Sequence, residues 1–321
     1  MSGSQLGPGG EFDRIRRIVA ALGPAAPDVG DDCAILPEGA GRVVVSTDLS
    51  IEGVHFQVNW LTFEEIGWRA AAGALSDLAA AGAAAIGVLA SVGSPRGTAE
   101  AQVVELMGGV GAAATVAGGV VLGGDLSASP QWVVDIVVLG RARAPLTRRG
   151  ARPGDGLWIT GVPGLSRAAL TAWRRGEQPE PDARRAFAHP EPRLSMGRGL
   201  AEAGARAMLD VSDGLAGDAG HLAAASGVAL DVELELLPLA PAVVRAAARQ
   251  DIPAPLFAAE GGEDYELLAA LPPEFGDAEA AALATATGVP LTRIGSVAAG
   301  KGVRLWLERR QVTLTGYDHF A

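Results

Sequence analysis

The chain has 321 residues and a formal net charge of −11, from 26 Lys and Arg against 37 Asp and Glu. That length suits one large or two ordinary domains, each able to bury a core. The acidic balance excludes a general binder of nucleic acid or anionic membrane, but not a phosphorylated substrate held through metal ions.

In chain order, the opening MSGSQLGPGGEF lacks a basic n-region and an apolar h-region, so no secretory leader is expected. Short buried strands are expected over 43–48 and 120–124, and a further strand over 131–142. Between them helices are expected over 63–80, opened by the Thr62/Glu65 capping-box pair, and over 98–118. The most apolar stretch, 70–90, is rich in Ala and Gly and interrupted by Asp77, so no membrane span is expected. Strands separated by helices indicate an α/β or α+β domain. The Gly- and Pro-dense segment 149–164 marks the domain boundary, which divides the chain into 1–147 and 148–321. Beyond it come a strand at LWITG, helices over 166–176, 194–204 and 215–227, a turn at 189–193, and strands over 229–237, 263–271 and 303–308. The single cysteine, Cys33, excludes an intramolecular disulfide and fits a reducing cytoplasm.

Acids recur at the ends of the apolar runs. Asp31 and Asp32 lie in VGDDCAIL; Ser46 and Asp48 lie two apart, on one strand face; Asp125 ends VVLGGD; and Asp210, Ser212 and Asp213 lie in LDVSDGL. Each aspartate alone reads as a turn or helix cap, except Asp77, which is mid-helix where no cap is available. Two like charges about 4 Å apart repel by roughly 4 kcal/mol at an effective dielectric near 20, so a convergent set needs cations. Oxygen ligands without a Cys/His cluster select Mg²⁺ or a similar hard ion. Neighbouring glycines let backbone N–H groups approach phosphate oxygens. The pattern therefore predicts a Mg²⁺–nucleotide site assembled from scattered acidic turns. It is not a P-loop, since no GxxxxGK[ST] occurs, and GVGAAA (109–114) sits in a helical run rather than after a strand, which disfavours a dinucleotide fold.

These motifs, taken together, resemble the thiamine-monophosphate kinases, in the superfamily that includes aminoimidazole-ribotide synthetase. The resemblance runs from about Gly10 to Phe320 through GEF (10–12), VGDDCAIL (29–36), STD (46–48), EGVHF (52–56), SDLAAAGA (76–83), LGGD (122–125), LTRRGARPGD (146–155), HPEPR (189–193), DVSDGL (210–215), GGEDYEL (261–267) and GYDHF (316–320). It implies two domains of the synthetase-like fold, each a mixed sheet packed with helices, forming a homodimer through the N-terminal sheets. It implies metal ligands at Asp32, Ser46, Thr47, Asp48, Asp77, Asp125, Asp210 and Asp213, and ATP contacts at Gly124, Asp125, Arg148 and Ser212. Thiamine-phosphate contacts fall on His55, Glu263 and Tyr317. Ala74 stands where the family commonly has Asn, Leu49 and Leu126 where Thr or Ser is often seen, and Met107 near where some members have an aromatic residue.

The implied reaction is a cytoplasmic, several-Mg²⁺ transfer from ATP to thiamine monophosphate, in line and without a phosphoenzyme. Asp48, Asp125, Arg148, Asp210 and Asp213 form the catalytic set, with Arg148 on the transferring phosphoryl group. Other side chains read as structural: Cys33 a small buried filler, His189 a turn residue, His319 part of the tail, and His221 with Asp218 a local surface pair. Tyr265 reads as core or pocket. The alternatives are another ATP-dependent enzyme of the superfamily and a non-catalytic nucleotide-binding scaffold. GGEDYEL and GYDHF disfavour a ribotide synthetase, the missing N-terminal catalytic Cys disfavours a selenophosphate synthetase, and so many retained carboxylates disfavour the scaffold.

Overall fold

The computed structural model describes residues 34–35 and 41–317. The first layer comprises β1 (Ala34–Ile35), β2 (Arg42–Ile51), α1 (Phe63–Ala80), β3 (Ala84–Ser94), α2 (Glu100–Val116), β4 (Val120–Ala128) and β5 (Val133–Ala142). Its five strands lie in the order β1-β2-β5-β3-β4, with β3 and β4 parallel and the other pairs antiparallel. Helix α1 starts as the capping box requires: Thr62 Oγ1 accepts from the Glu65 N–H, and Glu65 Oε2 accepts from the Thr62 N–H. Glycines let α2 cross α1 closely. A Cβ at Gly67 would sit 1.8 Å from the Leu106 carbonyl oxygen, and one at Gly109 would sit 1.9 Å from that of Glu64.

The second layer comprises β6 (Gly156–Thr160), α3 (Leu165–Arg174), α4 (Pro181–Ala188), α5 (Leu194–Glu202), β7 (Ala207–Val211), α6 (Leu215–Ser226) and β8 (Ala229–Glu233). After them come α7 (Pro241–Ala248), α8 (Ala254–Ala259), β9 (Glu266–Leu271), α9 (Asp277–Thr287), β10 (Leu291–Ala298), β11 (Gly302–Leu307) and β12 (Arg310–Val312). The strands form one sheet in the order β12-β11-β8-β10-β6-β9-β7. The β6-β9-β7 end of the sheet is covered on both faces: every residue of these three strands is buried.

Helix α1 joins the layers. It packs on β2 and β5 of the first sheet and on α4, α5 and β7 of the second. A helix apolar all round is one buried all round, and alanines and glycines keep both approaches short. A Cβ at Gly197 of α5 would lie 2.1 Å from the Ala79 carbonyl oxygen.

Two expectations for the first sheet change. Strand 120–124 is not buried: β4 is an edge strand, exposed at every position, and runs on through Asp125 to Ala128. A strand over 84–94 was not expected at all, because its Ala- and Gly-rich sequence continues the composition of α1 without clear alternation. Among the described residues, no helix is long and apolar enough to cross a membrane.

Candidate active site

A cavity of ≈ 190 Å³ opens between the layers, lined by Asp48, Asp77, Asp210 and Asp213 with Thr47, His55, Ser212 and Glu263. The alternation of β2 turns Ser46, Asp48 and Ser50 toward α1, where Ser46 Oγ donates to Asp77 Oδ2 at 2.6 Å. Arg69, Gly73 and Asp77 are spaced four apart and form one stripe of α1 facing the cavity. Asp210 arrives near the end of β7, and Ser212 and Asp213 in the turn before α6.

Asp218, on the first turn of α6, lies beneath this turn and accepts from the Asp213 N–H at 3.1 Å. Burial drives its carboxyl well above the usual range; Asp213 and Asp210 add to the rise, and Arg148 opposes it. Arg148 is thereby placed beside the acidic turn. Asp218 and His221 are 4% and 7% exposed, so they are not the surface pair expected from their spacing.

The GGEDYEL segment is two-sided. Glu263 and Tyr265 adopt left-handed φ values of 67° and 52°, held by their N–H groups donating to the Ser212 and Val211 carbonyls, and both face the cavity. The intervening residues face the scaffold. Asp264 accepts from the Gly164 N–H with both carboxylate oxygens, capping α3, and burial raises its carboxyl well above the usual range. Glu266, buried, takes Arg193 in a fork and the Thr160 hydroxyl. Tyr265 belongs to the pocket; burial, with Asp48, Asp210 and Asp213 nearby, raises its hydroxyl pKa against the opposing pull of Arg69.

A second cavity, ≈ 590 Å³, adjoins the first and shares His55, Ser212, Asp213 and Glu263 with it. Its far walls bring Phe56, Trp60, Phe187 and Tyr317. Trp60 is held by face-to-face stacking on Trp173, with centroids 5.3 Å apart. His55 Nδ1 accepts from the Ile51 N–H at 3.1 Å, which leaves the ring proton on Nε2.

Most of the expected residues therefore converge: Thr47, Asp48, His55, Asp77, Asp210, Ser212, Asp213 and Glu263 on one cavity, Ser46 and Arg148 beside it, and Tyr317 in the next. Gly124 and Asp125 do not join them within the protomer. In register, Asp48 opposes Ile136, Ile136 opposes Ala90 and Ala90 opposes Gly124, which sets Gly124 three strand spacings, about 14 Å, from Asp48. Thr47 reaches the cavity, but its hydroxyl is turned to the face of the sheet opposite Asp48 and donates to Asp135 Oδ1 at 2.8 Å. Asp32, Cys33 and His319 lie outside the described residues. Arg69 was missed: a single Arg in an Ala-rich helix carries no motif, and only its spacing from Asp77 hinted at a shared face.

Among the described residues no three His, Cys, Asp or Glu side chains form a ready cage for a metal ion. The lining still fits a hard cation. It offers carboxylate and hydroxyl oxygens, and Mg²⁺ retains waters and takes phosphate oxygens as ligands rather than requiring an all-protein cage.

Residues 30–142 match the model for the AIR synthase related protein N-terminal domain, and residues 152–308 that for the AIR synthase related protein C-terminal domain. The Mycobacterium tuberculosis thiamine-monophosphate kinase is 37% identical over 81% of this chain and 80% of its own length. The Escherichia coli K12 thiamine-monophosphate kinase is 35% identical over 97% and 96%. A solved ThiL structure complexed with AMPPCP and TMP superposes with a TM-score of 0.87 at 30% identity, covering 100% of this chain and 99% of that one. The likeness in sequence and in three-dimensional structure runs through both layers and the cleft between them, and the chain belongs to the thiamine-monophosphate kinase family of AIR synthase related proteins.

Proposed function

We propose that the protein transfers the γ-phosphoryl group of ATP directly to the phosphate of thiamine monophosphate, giving thiamine diphosphate and ADP. The observation that carries this reading is the continuity of two unlike cavities. The oxygen-lined cavity suits phosphates accompanied by cations, and the aromatic one suits flat heteroaromatic rings. A phosphate monoester has a second pKa of about 6 and is already ionised at neutral pH, so the acceptor needs no strong general base. What the site must supply is alignment and charge neutralisation.

Asp48, Asp77, Asp210 and Asp213, with Ser46, Thr47 and Asp32, are the residues that would hold Mg²⁺. Bound Mg²⁺ supplies positive charge between the two polyanions. His55 presents Nε2–H toward the acceptor phosphate. Arg148, beside the 210–213 turn, offers a guanidinium to the transferring group, while Ser212 contacts ATP. Tyr317 stacks on the thiamine rings and Glu263 binds on the same side. Asp48, Asp210 and Asp213, together with Arg148, carry the chemistry in this reading, with domains divided at 147/148.

Gly124 and Asp125 enter this site through a second copy of the chain. The face of the first sheet turned away from its helices carries Leu49, Leu89 and Val120, at 44%, 36% and 58% exposure, where a solvated sheet face would be polar. Among the described residues, β1 pairs with β2 only at Val44 and Val45. Homodimerisation that sets a partner's exposed β4 against this face covers it and returns Gly124 and Asp125 toward Asp48. An acidic chain with one cysteine suits the reducing cytoplasm as the place of this reaction.

The test is incubation with ATP, Mg²⁺ and thiamine monophosphate, with thiamine diphosphate followed as its fluorescent thiochrome form. One ADP per thiamine diphosphate is expected, with loss of product on adding EDTA and in Asp48→Ala. ATP binding with no thiamine diphosphate formed overturns the assignment.

A further inference from the structure

We propose that Arg69 and Tyr265 are positioning residues that fix the Glu263 carboxylate and thereby set the affinity for the organic, thiamine-bearing half of the acceptor. The inference deepens the proposed function and rests on it for the identity of that acceptor.

Arg69 is 4% exposed, yet it lines the acidic cavity. Three contacts hold it. Its Nη1 donates to the Phe187 carbonyl at 2.7 Å, its guanidinium lies over the Phe187 ring with Cζ 3.8 Å from the centroid, and its Nη2 pairs with Glu263 Oε2. The Tyr265 hydroxyl donates to the same oxygen at 3.1 Å. An ion pair from α1 and a hydrogen bond from the segment entering β9 therefore meet on Oε2. Oε1 carries neither of these contacts, and Glu263 lines the aromatic cavity as well as the acidic one. The chemistry suited to Oε1 is a donor or cation on the acceptor: an exocyclic amine or a quaternised heteroaromatic nitrogen.

A carboxylate at this junction would otherwise have several rotamers and a strong pull toward metal ions in the neighbouring cavity. The fork of Arg69, itself pinned by Phe187, removes that freedom. Lysine cannot reproduce the arrangement, since it offers a point charge without the planar fork that spans the Phe187 carbonyl and Glu263 together. Tyr265 is held just as firmly, because its left-handed φ of 52° and its N–H bond to the Val211 carbonyl aim the ring back across the cleft. Neither residue needs to touch the phosphates for this role.

The full-length protein is assayed as wild type, Arg69→Met, Arg69→Lys, Tyr265→Phe and Glu263→Gln, and as the double variants of Arg69→Met and Tyr265→Phe with Glu263→Gln. KM for thiamine monophosphate and KM for ATP are measured separately. Loss of a charge-assisted contact in Arg69→Met is expected to raise the acceptor KM by about tenfold or more, with the ATP KM within about twofold. Arg69→Lys gives an intermediate rise and Tyr265→Phe a smaller one. In the Glu263→Gln background neither substitution adds further, since both act through the same carboxylate. Equal rises in both KM values, or full additivity with Glu263→Gln, overturn the proposal. A crystal structure of Arg69→Lys reads the positioning without substrate: Glu263 is expected to leave its place against Tyr265, and an unmoved Glu263 overturns the proposal too. A wild type that forms no thiamine diphosphate defeats the functional reading instead, and the displacement of Glu263 then tests the role of Arg69 by itself.

Discussion

At position 73 an alanine-rich helix carries a glycine in its interior, a choice that costs about 1 kcal/mol relative to alanine. The cavity explains it. A Cβ there would lie 3.0 Å from Asp48 Oδ2 and 3.1 Å from the Tyr265 hydroxyl oxygen. Gly73→Ala is therefore expected to separate stability from activity. The melting temperature should change by no more than a few degrees, as the gain in helix propensity offsets the crowding, while kcat falls by about tenfold or more from displacement of Asp48. A fall in melting temperature with unchanged kcat would show that the residue serves packing alone. At this scale the acids were legible because each breaks an apolar run or lies where no cap is possible, as Asp77 does. Arg69 was not legible, because what distinguishes it is the Phe187 carbonyl and Glu263, 118 and 194 residues further along the chain. Asp218 and His221 read as a surface pair because their spacing reports a shared helix face and says nothing of what covers it.

Among the elements, α1 and α4 are tied by a fork: Arg184 donates to Glu65 Oε1 at 2.6 Å and to Oε2 at 2.9 Å. Burial pulls the Glu65 carboxyl upward, but Arg184 and the Thr62 N–H outweigh it, and its pKa lies below the ordinary 4.5. A carboxylate depressed on folding contributes stability above its unfolded pKa and loses it as pH falls through the folded one. Arg184→Ala is expected to lower stability by about 1–2 kcal/mol at pH 7, less than a fully buried pair because Arg184 is itself partly exposed. The gap from wild type should close as pH is lowered from the ordinary 4.5 through the depressed folded-state pKa, checked by urea titration across pH; a constant gap would place the loss in packing. The helix start at Thr62 was legible for the reason it forms, two reciprocal backbone bonds written in residues 62 and 65. Strand β3 was not, since its alanines and glycines are as suited to the tight approach of α1 as to a strand. The exposure of β4 was hidden because its apolar run at Val120–Leu122 has the composition of a buried strand.

The whole molecule's acidic site, in the proposed arrangement, belongs to two chains. Mixing Asp48→Ala with Asp125→Ala protein under conditions of subunit exchange gives heterodimers in which one site lacks both carboxylates and the other has both. Activity is expected to recover to roughly a quarter of wild type at equal mixing, from statistical pairing of subunits. No recovery from two inactive variants would assign Asp125 to its own protomer's site. Both layers share α1: the helix that floors the first sheet also packs on α4, α5 and β7 of the second. The covalent boundary between the domains is thus not a boundary of stability. Cut in the linker after β5, the C-terminal fragment would lose the helix that covers β7, and the N-terminal fragment would expose the Ala- and Gly-rich back of α1 to water. Neither half carries a complete core, so the chain, two domains by its topology, is expected to unfold as one cooperative unit.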